Sequence, residues 1–262
     1  MKKLLIILVA LLAVGAGYYS YVASTGAPAA LRIATEGANP PFNFIDKDGQ
    51  AAGFDVDIAK ALCAQMKTKC EIVTQNWDSI IPGLQAGDYD AIISSLSITA
   101  QRSQQIAFTD PYYDTPTRFI APKDAHIEIS VAGLAGKRVG VQRGTVYEKL
   151  LRSKFYQAVP VLYDSTEAAL QDLVAGNIDL VVGNAVSLAQ SFLNTDRGKD
   201  YTFVGPAFTD PDILGTGAGI AVRKDETRLL DAFNKALRQI RADGTFKQIN
   251  DKYFAIDISA PP

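Results

Sequence analysis

The 262-residue chain contains one histidine, one tryptophan, two methionines and two cysteines. The histidine, His126, stands in the polar stretch PKDAHIEIS, which predicts an exposed loop, so no Ser–His–Asp or Cys–His catalytic arrangement is expected. VGVQRGT lacks the glycine spacing of a nucleotide fingerprint, and the sequence has no P-loop. The net charge of −2 gives no basic patch for nucleic acid. We therefore expect no cofactor, no metal ion, no nucleic-acid partner and no enzyme.

The N-terminus carries an apolar run, Leu4–Gly17, after two lysines and before a tail of small residues. This order is typical of an export signal, and we predict a signal peptide over residues 1–24. The alternative is an uncleaved anchor, because apolar character continues through Val22, near the roughly 20 residues that a membrane span needs. Both interpretations place the rest of the chain outside the cytoplasm, and we expect the periplasm.

Two cysteines, Cys63 and Cys70, stand close together in ALCAQMKTKCEIV. In an oxidising compartment such a pair usually forms a disulfide, and this one would clip the end of a helix to the next strand. Two free core thiols are the alternative. No histidine stands nearby, so a zinc site is not expected.

Predicted strands and helices alternate along the chain, which indicates an α/β protein with mostly parallel sheets. LRIAT, EIVTQ and DAIIS are typical of strands, and Ile58, Leu62 and Met66 recur at helical spacing. Further helices are predicted over Asp78–Ala86, Thr145–Phe155 and Ser165–Ala175, and a long helix should stop at Gly244.

Two stretches share one pattern: LQAGDYDAIISS (Leu84–Ser95) and LVAGNIDLVVGN (Leu173–Asn184). Each runs from a helix end through a glycine turn and an aspartate into an apolar strand that ends on small polar residues. The turn alone is common, but the matched register over the whole stretch favours two similar lobes. Ligands of open α/β sheets bind at the carboxyl ends of strands, so each lobe would present polar groups to a ligand.

The pentapeptide AFTDP occurs twice, at Ala107–Pro111 and at Ala207–Pro211. We expect each copy to end just before the chain crosses between the lobes, because proline stiffens the exit and glycines follow the second copy. Two crossings would form a hinge and a closing cleft. The boundaries expected are 31–115 plus 213–258 for lobe 1 and 118–208 for lobe 2. Coincidence in two turns is the alternative.

The chain resembles the periplasmic solute-binding proteins of polar amino-acid ABC importers, in the lysine/arginine/ornithine- and histidine-binding group. The resemblance covers Leu31–Ser259 and rests on the cysteine pair and on GFDVDIAKALC, DAIISSLSITAQR, LAGKRVGVQRGT and ADGTFKQINDKYF. It implies the two-lobed type II fold, capture of an amino acid, delivery to a membrane permease, and a monomer. TEGA, QNWD and the Asn184–Ala185 pair also resemble the opine-binding branch.

Candidate site residues follow strand ends in both lobes. In SSLSITAQR, the serine and threonine hydroxyls and the backbone N–H groups can bind an anion. Arg102 can bind a carboxylate with two parallel hydrogen bonds. The resemblance assigns Arg102 to the ligand's α-carboxylate, whereas a solvated helix residue is the alternative. Gly144 and Thr145 begin a helix whose amides can take the carboxylate from the second lobe. The predicted ligand-binding set is Glu36, Asn39, Trp77, Ser94, Ser95, Ser97, Arg102, Gln142, Thr145 and Asn184.

By resemblance, Trp77 forms an aromatic wall beside the ligand and Glu36 meets the polar tip of its side chain; core packing and a surface acid are the alternatives. Asn39 stands where the family usually has an aromatic residue. Asn184 stands where an aspartate usually pairs the α-ammonium. Together with Ser97, the uncharged side chain of Asn184 would then receive the amino group.

A charge count bears on the ligand. A basic amino acid carries two positive charges and one negative, whereas Glu36 and Arg102 supply one charge of each sign. Burying an uncompensated charge costs several kcal/mol, so a neutral polar amino acid or an opine fits this count better. Overall likeness still favours basic amino acids if an acid such as Asp78 or Asp114 lies close by. A sensory domain, or a dehydratase using Glu36, remains an alternative.

Overall fold

Two five-stranded sheets organise the chain in the computed structural model, which describes residues 30–260. The strands are β1 (Leu31–Thr35), β2 (Ala38–Asn39), β3 (Asn43–Ile45), β4 (Ala51–Ala52), β5 (Cys70–Thr74), β6 (Ala91–Ile92), β7 (Ala107–Phe108), β8 (Thr117–Pro122), β9 (Arg138–Gln142), β10 (Val159–Tyr163), β11 (Leu180–Asn184), β12 (Tyr201–Phe208) and β13 (Ala221–Val222). The helices are α1 (Phe54–Gln65), α2 (Trp77–Ala86), α3 (Ala100–Ser103), α4 (Val146–Lys154), α5 (Thr166–Val174), α6 (Ala185–Leu188), α7 (Pro211–Leu214), α8 (Thr227–Ala242) and α9 (Thr245–Tyr253), with a π-helical turn at Ala189–Leu193 and a 3-10 turn at Asp196–Gly198.

The two sheets have the same layout. The first has the order β5-β1-β6-β13-β7 and the second the order β10-β9-β11-β8-β12. In each, the first three strands are parallel and the last two are antiparallel to their neighbours. Strands β2, β3 and β4 form a small separate antiparallel sheet. The α/β class and the two-lobed fold are therefore confirmed.

The repeated helix–turn–strand pattern has the same structure in both lobes. Gly87 and Gly176 end their helices with left-handed φ values of 83° and 76°, which glycine adopts without steric cost. In the first lobe the backbone N–H of Arg32 donates to Asp90 Oδ2 at 2.9 Å. In the second lobe the backbone N–H of Arg138 donates to Asp179 Oδ2 at 2.7 Å. Each arginine side chain also donates to the carbonyl of its turn glycine. The matched register thus reflects equivalent parts of two lobes.

Both AFTDP copies lie at the outermost antiparallel strand of a sheet. Ala107 and Phe108 form β7 of the first sheet, and the next strand, β8, belongs to the second. Phe208 ends β12 of the second sheet, and the chain then returns to β13 of the first. The two crossings run side by side, because Tyr112 N donates to Ala218 O at 2.8 Å and Ala218 N to Tyr113 O at 2.9 Å.

Each sheet has its own hydrophobic core on both faces. Phe54 and Leu84 belong to separate buried clusters beside the first sheet, and Leu150 and Leu170 to separate clusters beside the second. A lobe with its own core can keep its packing while the other lobe moves. None of the helices within residues 30–260 is long and apolar enough to cross a bilayer, and the predicted signal over 1–24 lies outside the described residues.

Several element ends differ from expectation. The helix expected from Asp78 begins at Trp77, with Asn76 at its N-cap position. The strand DAIIS is only Ala91–Ile92 long, because the chain turns away at Ser95, whose φ is 52°. The long helix does stop before Gly244, but a helix that we did not predict, Thr245–Tyr253, follows it.

The disulfide between Cys63 and Cys70 is present and joins α1 to β5, with 6.2 Å between the two Cα atoms. It therefore fixes the end of the helix to an edge strand of the first sheet, as expected.

Replacing both cysteines by serine should lower the free energy of unfolding by about 2–3 kcal/mol, because a short closed loop restricts the unfolded chain by about this amount. Chemical denaturation with and without a reductant measures the effect. The reductant should destabilise the wild type and leave the double variant unchanged. Equal stability of oxidised wild type and double variant would contradict the prediction.

Candidate ligand-binding site

The carboxyl ends of strands from both sheets meet at one cavity that is lined by residues of both lobes. Glu36 follows β1, Ser95 follows β6, Gln142 ends β9 and Asn184 ends β11. The structure brings nine of the ten predicted residues into the cavity wall. These nine are Glu36, Asn39, Trp77, Ser95, Ser97, Arg102, Gln142, Thr145 and Asn184.

The tenth, Ser94, is buried behind the wall, and its Oγ accepts a hydrogen bond from Glu36 N at 2.8 Å. The structure therefore places it as a support for the β1 end.

Arg102 lies in the short helix α3, whose N-cap residue, Thr99, accepts a hydrogen bond from Arg102 N. Its guanidinium donates to the carbonyl of Ser97 at 3.0 Å and, across the cleft, to that of Gly144 at 3.4 Å. The same group stands 5.4 Å from the ring centroid of Trp77, a cation–π distance. Burial lowers its pKa to about 10, which leaves it protonated at neutral pH. Three of its five N–H groups have no partner among residues 30–260 and can meet a carboxylate.

The second-lobe groups expected to meet the carboxylate are partly occupied. Gly144 N donates to Glu148 Oε2 at 2.8 Å, and the Thr145 hydroxyl donates to Gln142 O at 2.7 Å while capping α4. The amide of Gly144 is therefore bonded within its own lobe. Thr145 remains in the cavity wall as the residue that starts α4.

Glu36 lines the same cavity. The side chain of Gln142, from the second sheet, donates to its carboxylate across the cleft. Burial raises the pKa of Glu36 from an ordinary 4.5 to about 7; the bond from Gln142 opposes this shift, and the nearby charge of Asp78 adds to it. Trp77 lines the cavity and also packs against the cluster around Ile80.

Asn184 uses most of its carboxamide in bonds to protein groups. Its Oδ1 accepts hydrogen bonds from Val186 N at 2.9 Å and Ser187 N at 3.1 Å, so it caps α6. Its Nδ2 donates to Thr115 Oγ1 at 2.6 Å. The group that remains for the cavity is thus an N–H donor rather than an acceptor.

The two acids that we considered as extra charges lie outside this cavity. Asp78 is half exposed at the cleft mouth, where the guanidinium of Arg143 lies 3.5 Å from its carboxylate. The same guanidinium lies 3.2 Å from the carboxylate of Asp164. Asp114 is exposed beside an adjoining cavity that also contacts Asn184. Neither acid lines the first cavity itself, but Asp114 lines a neighbouring one that shares Ser95, Ser97 and Asn184 with it.

The model of the bacterial extracellular solute-binding proteins, family 3, matches residues 31–256. The chain belongs to this family.

This family 3 solute-binding protein is 46% identical over 230 residues to the L-arginine-binding protein of Pseudomonas aeruginosa, with 87% of this chain and 89% of that protein covered. It is 39% identical to the histidine-binding periplasmic protein of Salmonella typhimurium, over 98% of this chain and 99% of that protein. A solved periplasmic binding protein of Salmonella typhimurium, described as highly specific for arginine, superposes with a TM-score of 0.81 at 34% identity, covering 86% and 99% of the two chains.

Four residues of the cavity wall escaped the sequence analysis: Val146, Tyr147, Thr166 and Ser187. Ser187 bridges the lobes, because its Oγ lies 2.7 Å from Asn39 Oδ1 and 2.6 Å from Pro40 O. Ser187 follows Asn184, the N-cap residue of α6, by three residues, and this spacing is the sequence signal that could have identified it. His126 is exposed and outside the cavity, and no cluster of metal-ligating side chains occurs within residues 30–260.

The raised pKa of Glu36 predicts how its replacement changes stability with pH. Between pH 4.5 and about 7 the folded protein holds this proton more tightly than the unfolded chain does. Glu36 therefore loses stabilising effect as the pH rises through that window. The variant Glu36→Gln should gain stability relative to wild type across it, by on the order of 2–3 kcal/mol, and the difference should be constant at higher pH.

Denaturant unfolding at half-unit steps from pH 4 to pH 8.5 tests this. Asp164→Asn is the matched control, since it removes a carboxylate that is 87% exposed at the same cleft mouth. A stability difference for Glu36→Gln that does not change with pH would refute the assignment.

Proposed function

We propose that this protein is the extracytoplasmic component of an ABC importer that captures a basic or other polar amino acid and delivers it to a membrane permease. The observation that carries the proposal is the half-buried Arg102, whose unpartnered N–H groups line a cavity that Glu36 also lines. A cation and an acid in one cavity match an α-carboxylate and a polar side-chain tip. The L-arginine-binding relative supports the same class of ligand.

In this proposal Arg102 holds the α-carboxylate, with Thr145 beside it, and Trp77 covers the ligand side chain. Glu36 meets the tip of that side chain. A guanidinium or ammonium there would replace the bond that Gln142 now makes, and would keep Glu36 ionised by opposing the effect of burial. Arginine and lysine are therefore the first ligands to test.

A neutral ligand is the second candidate. Asn184 lines the cavity with no charge, and its Oδ1 already accepts two hydrogen bonds from α6, so it offers no free acceptor to an ammonium group. Glu36 is the one acid of the wall among the described residues. This pair of observations favours glutamine or an opine such as octopine over a ligand with an extra positive charge.

Delivery requires that the cleft open and close. We propose that residues 31–115 with 213–258 and residues 118–208 move as two lobes about the paired crossings, and that the permease recognises the closed monomer. The cleft is bridged by polar contacts, including Glu36 with Gln142 and Ser187 with Asn39, which ligand binding can reinforce.

We propose binding without turnover, although Glu36 has the raised pKa that a general acid needs. A dehydratase would release water from a hydroxylated substrate, so mass spectrometry of ligands recovered after long incubation decides between these functions. Recovery of unchanged ligand is expected, and a product lighter by one water would overturn this part of the proposal.

Calorimetric titration of the ligand-stripped protein with arginine, lysine, histidine, glutamine and octopine tests the proposed function. We expect saturable 1:1 binding of at least one of these, and loss of about 100-fold or more in affinity for Arg102→Gln, because a buried carboxylate then lacks its charged partner. Small-angle scattering should show compaction with that ligand. No binding by any of the five, or no compaction on saturation, would contradict capture by closure.

Replacing Asn184 by aspartate tests the charge account. The variant Asn184→Asp keeps the cap of α6 and adds a carboxylate to the cavity wall. We expect the affinity ratio of arginine to glutamine to rise by about tenfold or more, because an added carboxylate pairs with a positive ligand. The same titrations measure the ratio, and an unchanged ratio would count against this account of Asn184.

A further inference from the structure

Asp55 is a fully buried acid just behind the ligand cavity. It lies in the first turn of α1, and its carboxylate accepts three hydrogen bonds. Tyr112 donates to Oδ1 at 2.7 Å, and Asn43 and Ser95 donate to Oδ2 at 2.8 Å and 2.9 Å. No lysine, arginine or histidine within residues 30–260 forms an ion pair with it. Buried acids usually have a cation as a partner, so this carboxylate lacks the usual compensation.

Ser95 connects this acid to the cavity. Its backbone has a φ of 52°, a left-handed conformation that costs a non-glycine residue about 1–3 kcal/mol. Its N–H points to the Tyr112 hydroxyl at 3.3 Å, and its Oγ–H points to Asp55. Both donors of Ser95 therefore face the protein interior, although the residue lines the cavity.

A serine hydroxyl has one hydrogen and two lone pairs. Since the hydrogen of Ser95 points to Asp55, its oxygen can act toward a ligand only as an acceptor. An acceptor suits an ammonium group and repels a carboxylate. The bond to an ionised acid also increases the negative charge on the hydroxyl oxygen, because linked hydrogen bonds polarise one another.

We propose that Asp55, acting through the hydroxyl of Ser95, supplies the negative charge that holds the α-ammonium group of the ligand. This inference rests on the proposed capture of an amino acid. Asp55 is a positioning and charge-supplying residue that does not touch the ligand. It takes the role that Asn184 does not fill, and it brings the site to two acids and one arginine, the count that a basic amino acid requires.

Burial raises the pKa of Asp55, and the three hydrogen bonds oppose that shift. An ammonium group at Ser95 would add a positive charge one hydroxyl away, which favours the ionised carboxylate. Ligand binding and the charge on Asp55 thus stabilise each other.

The test compares arginine with 5-guanidinopentanoate, the same molecule without its α-ammonium group. Calorimetric or competition titrations give both affinities for wild type, Asp55→Asn and Ser95→Ala. Asp57→Asn is the matched control: it makes the same change in the same helix, but at a residue that contacts Lys252 and Tyr253.

We expect Asp55→Asn to lower the affinity for arginine by about 10- to 100-fold and the affinity for 5-guanidinopentanoate by less than about threefold. The preference for arginine over the analogue therefore falls. Ser95→Ala should lower the preference in the same direction, and Asp57→Asn should leave both affinities unchanged. Circular dichroism establishes folding, and Ser95→Ala alone decides the matter if Asp55→Asn does not fold.

Equal weakening of both ligands, or no weakening of either, would show that Asp55 is only structural and would overturn the inference while leaving amino-acid capture intact. If wild type binds neither arginine nor any other amino acid, the proposed function itself fails, and this inference fails with it.

Discussion

The paired crossings between the sheets are the constraint on which the site depends. Tyr112 and Tyr113 exchange backbone hydrogen bonds with Ala218, so the two crossings form a short two-stranded link. A single flexible linker would let the sheets take many orientations, whereas a double link leaves mainly bending. Because the sheets share one layout, this link turns the carboxyl ends of both sets of parallel strands toward the same cavity. Glu36 and Gln142 meet there for this reason.

The link is also joined chemically to the ligand site. Tyr112 uses its backbone in the crossing and its hydroxyl to hold Asp55 and Ser95. In the proposed closure, movement at the crossing would act on Ser95, the cavity-lining residue whose backbone is left-handed. The contacts across the cleft itself are polar, and hydrogen bonds that form in exchange for water contribute only about 1 kcal/mol each. A bound ligand that contacts both lobes can shift such a balance, because it interacts differently with the open and closed forms.

Local patterns predicted much of the fold, because each is controlled by neighbouring residues. The glycine turns at Gly87 and Gly176, the strands after them and the disulfide all follow from short stretches of sequence. Ser95, Ser97 and Asn184 in the cavity wall followed from the rule that ligands meet strand ends, whereas Glu36, Asn39 and Trp77 followed from the family resemblance. The helix Thr245–Tyr253 was missed because Gly244, a valid stop signal, is here a turn between two helices.

The network around Asp55 was beyond such reasoning. Its partners Asn43, Ser95 and Tyr112 are far apart in sequence, and only the folded chain brings them together. The left-handed backbone of Ser95 likewise has no sequence signal, since serine carries no special preference for it. The charge count made from the sequence considered Asp78 and Asp114 as additional acids, but nothing in the sequence indicated Asp55.

The position of the second acid has a consequence for binding energy. A carboxylate in an open cleft is hydrated, and closure must strip that water before the ligand ammonium can compensate for it. Asp55 is already dry in the folded lobe, so the cost of removing its water belongs to folding and not to ligand capture. A charge prepared in this way favours a positive group at Ser95 without adding to the cost of closing. An aspartate at position 184 would touch the ligand directly but would lose its own water at each closure. Asn184 avoids that loss and keeps the cap of α6. The negative charge lies on Asp55, with the Ser95 hydroxyl between it and the ligand.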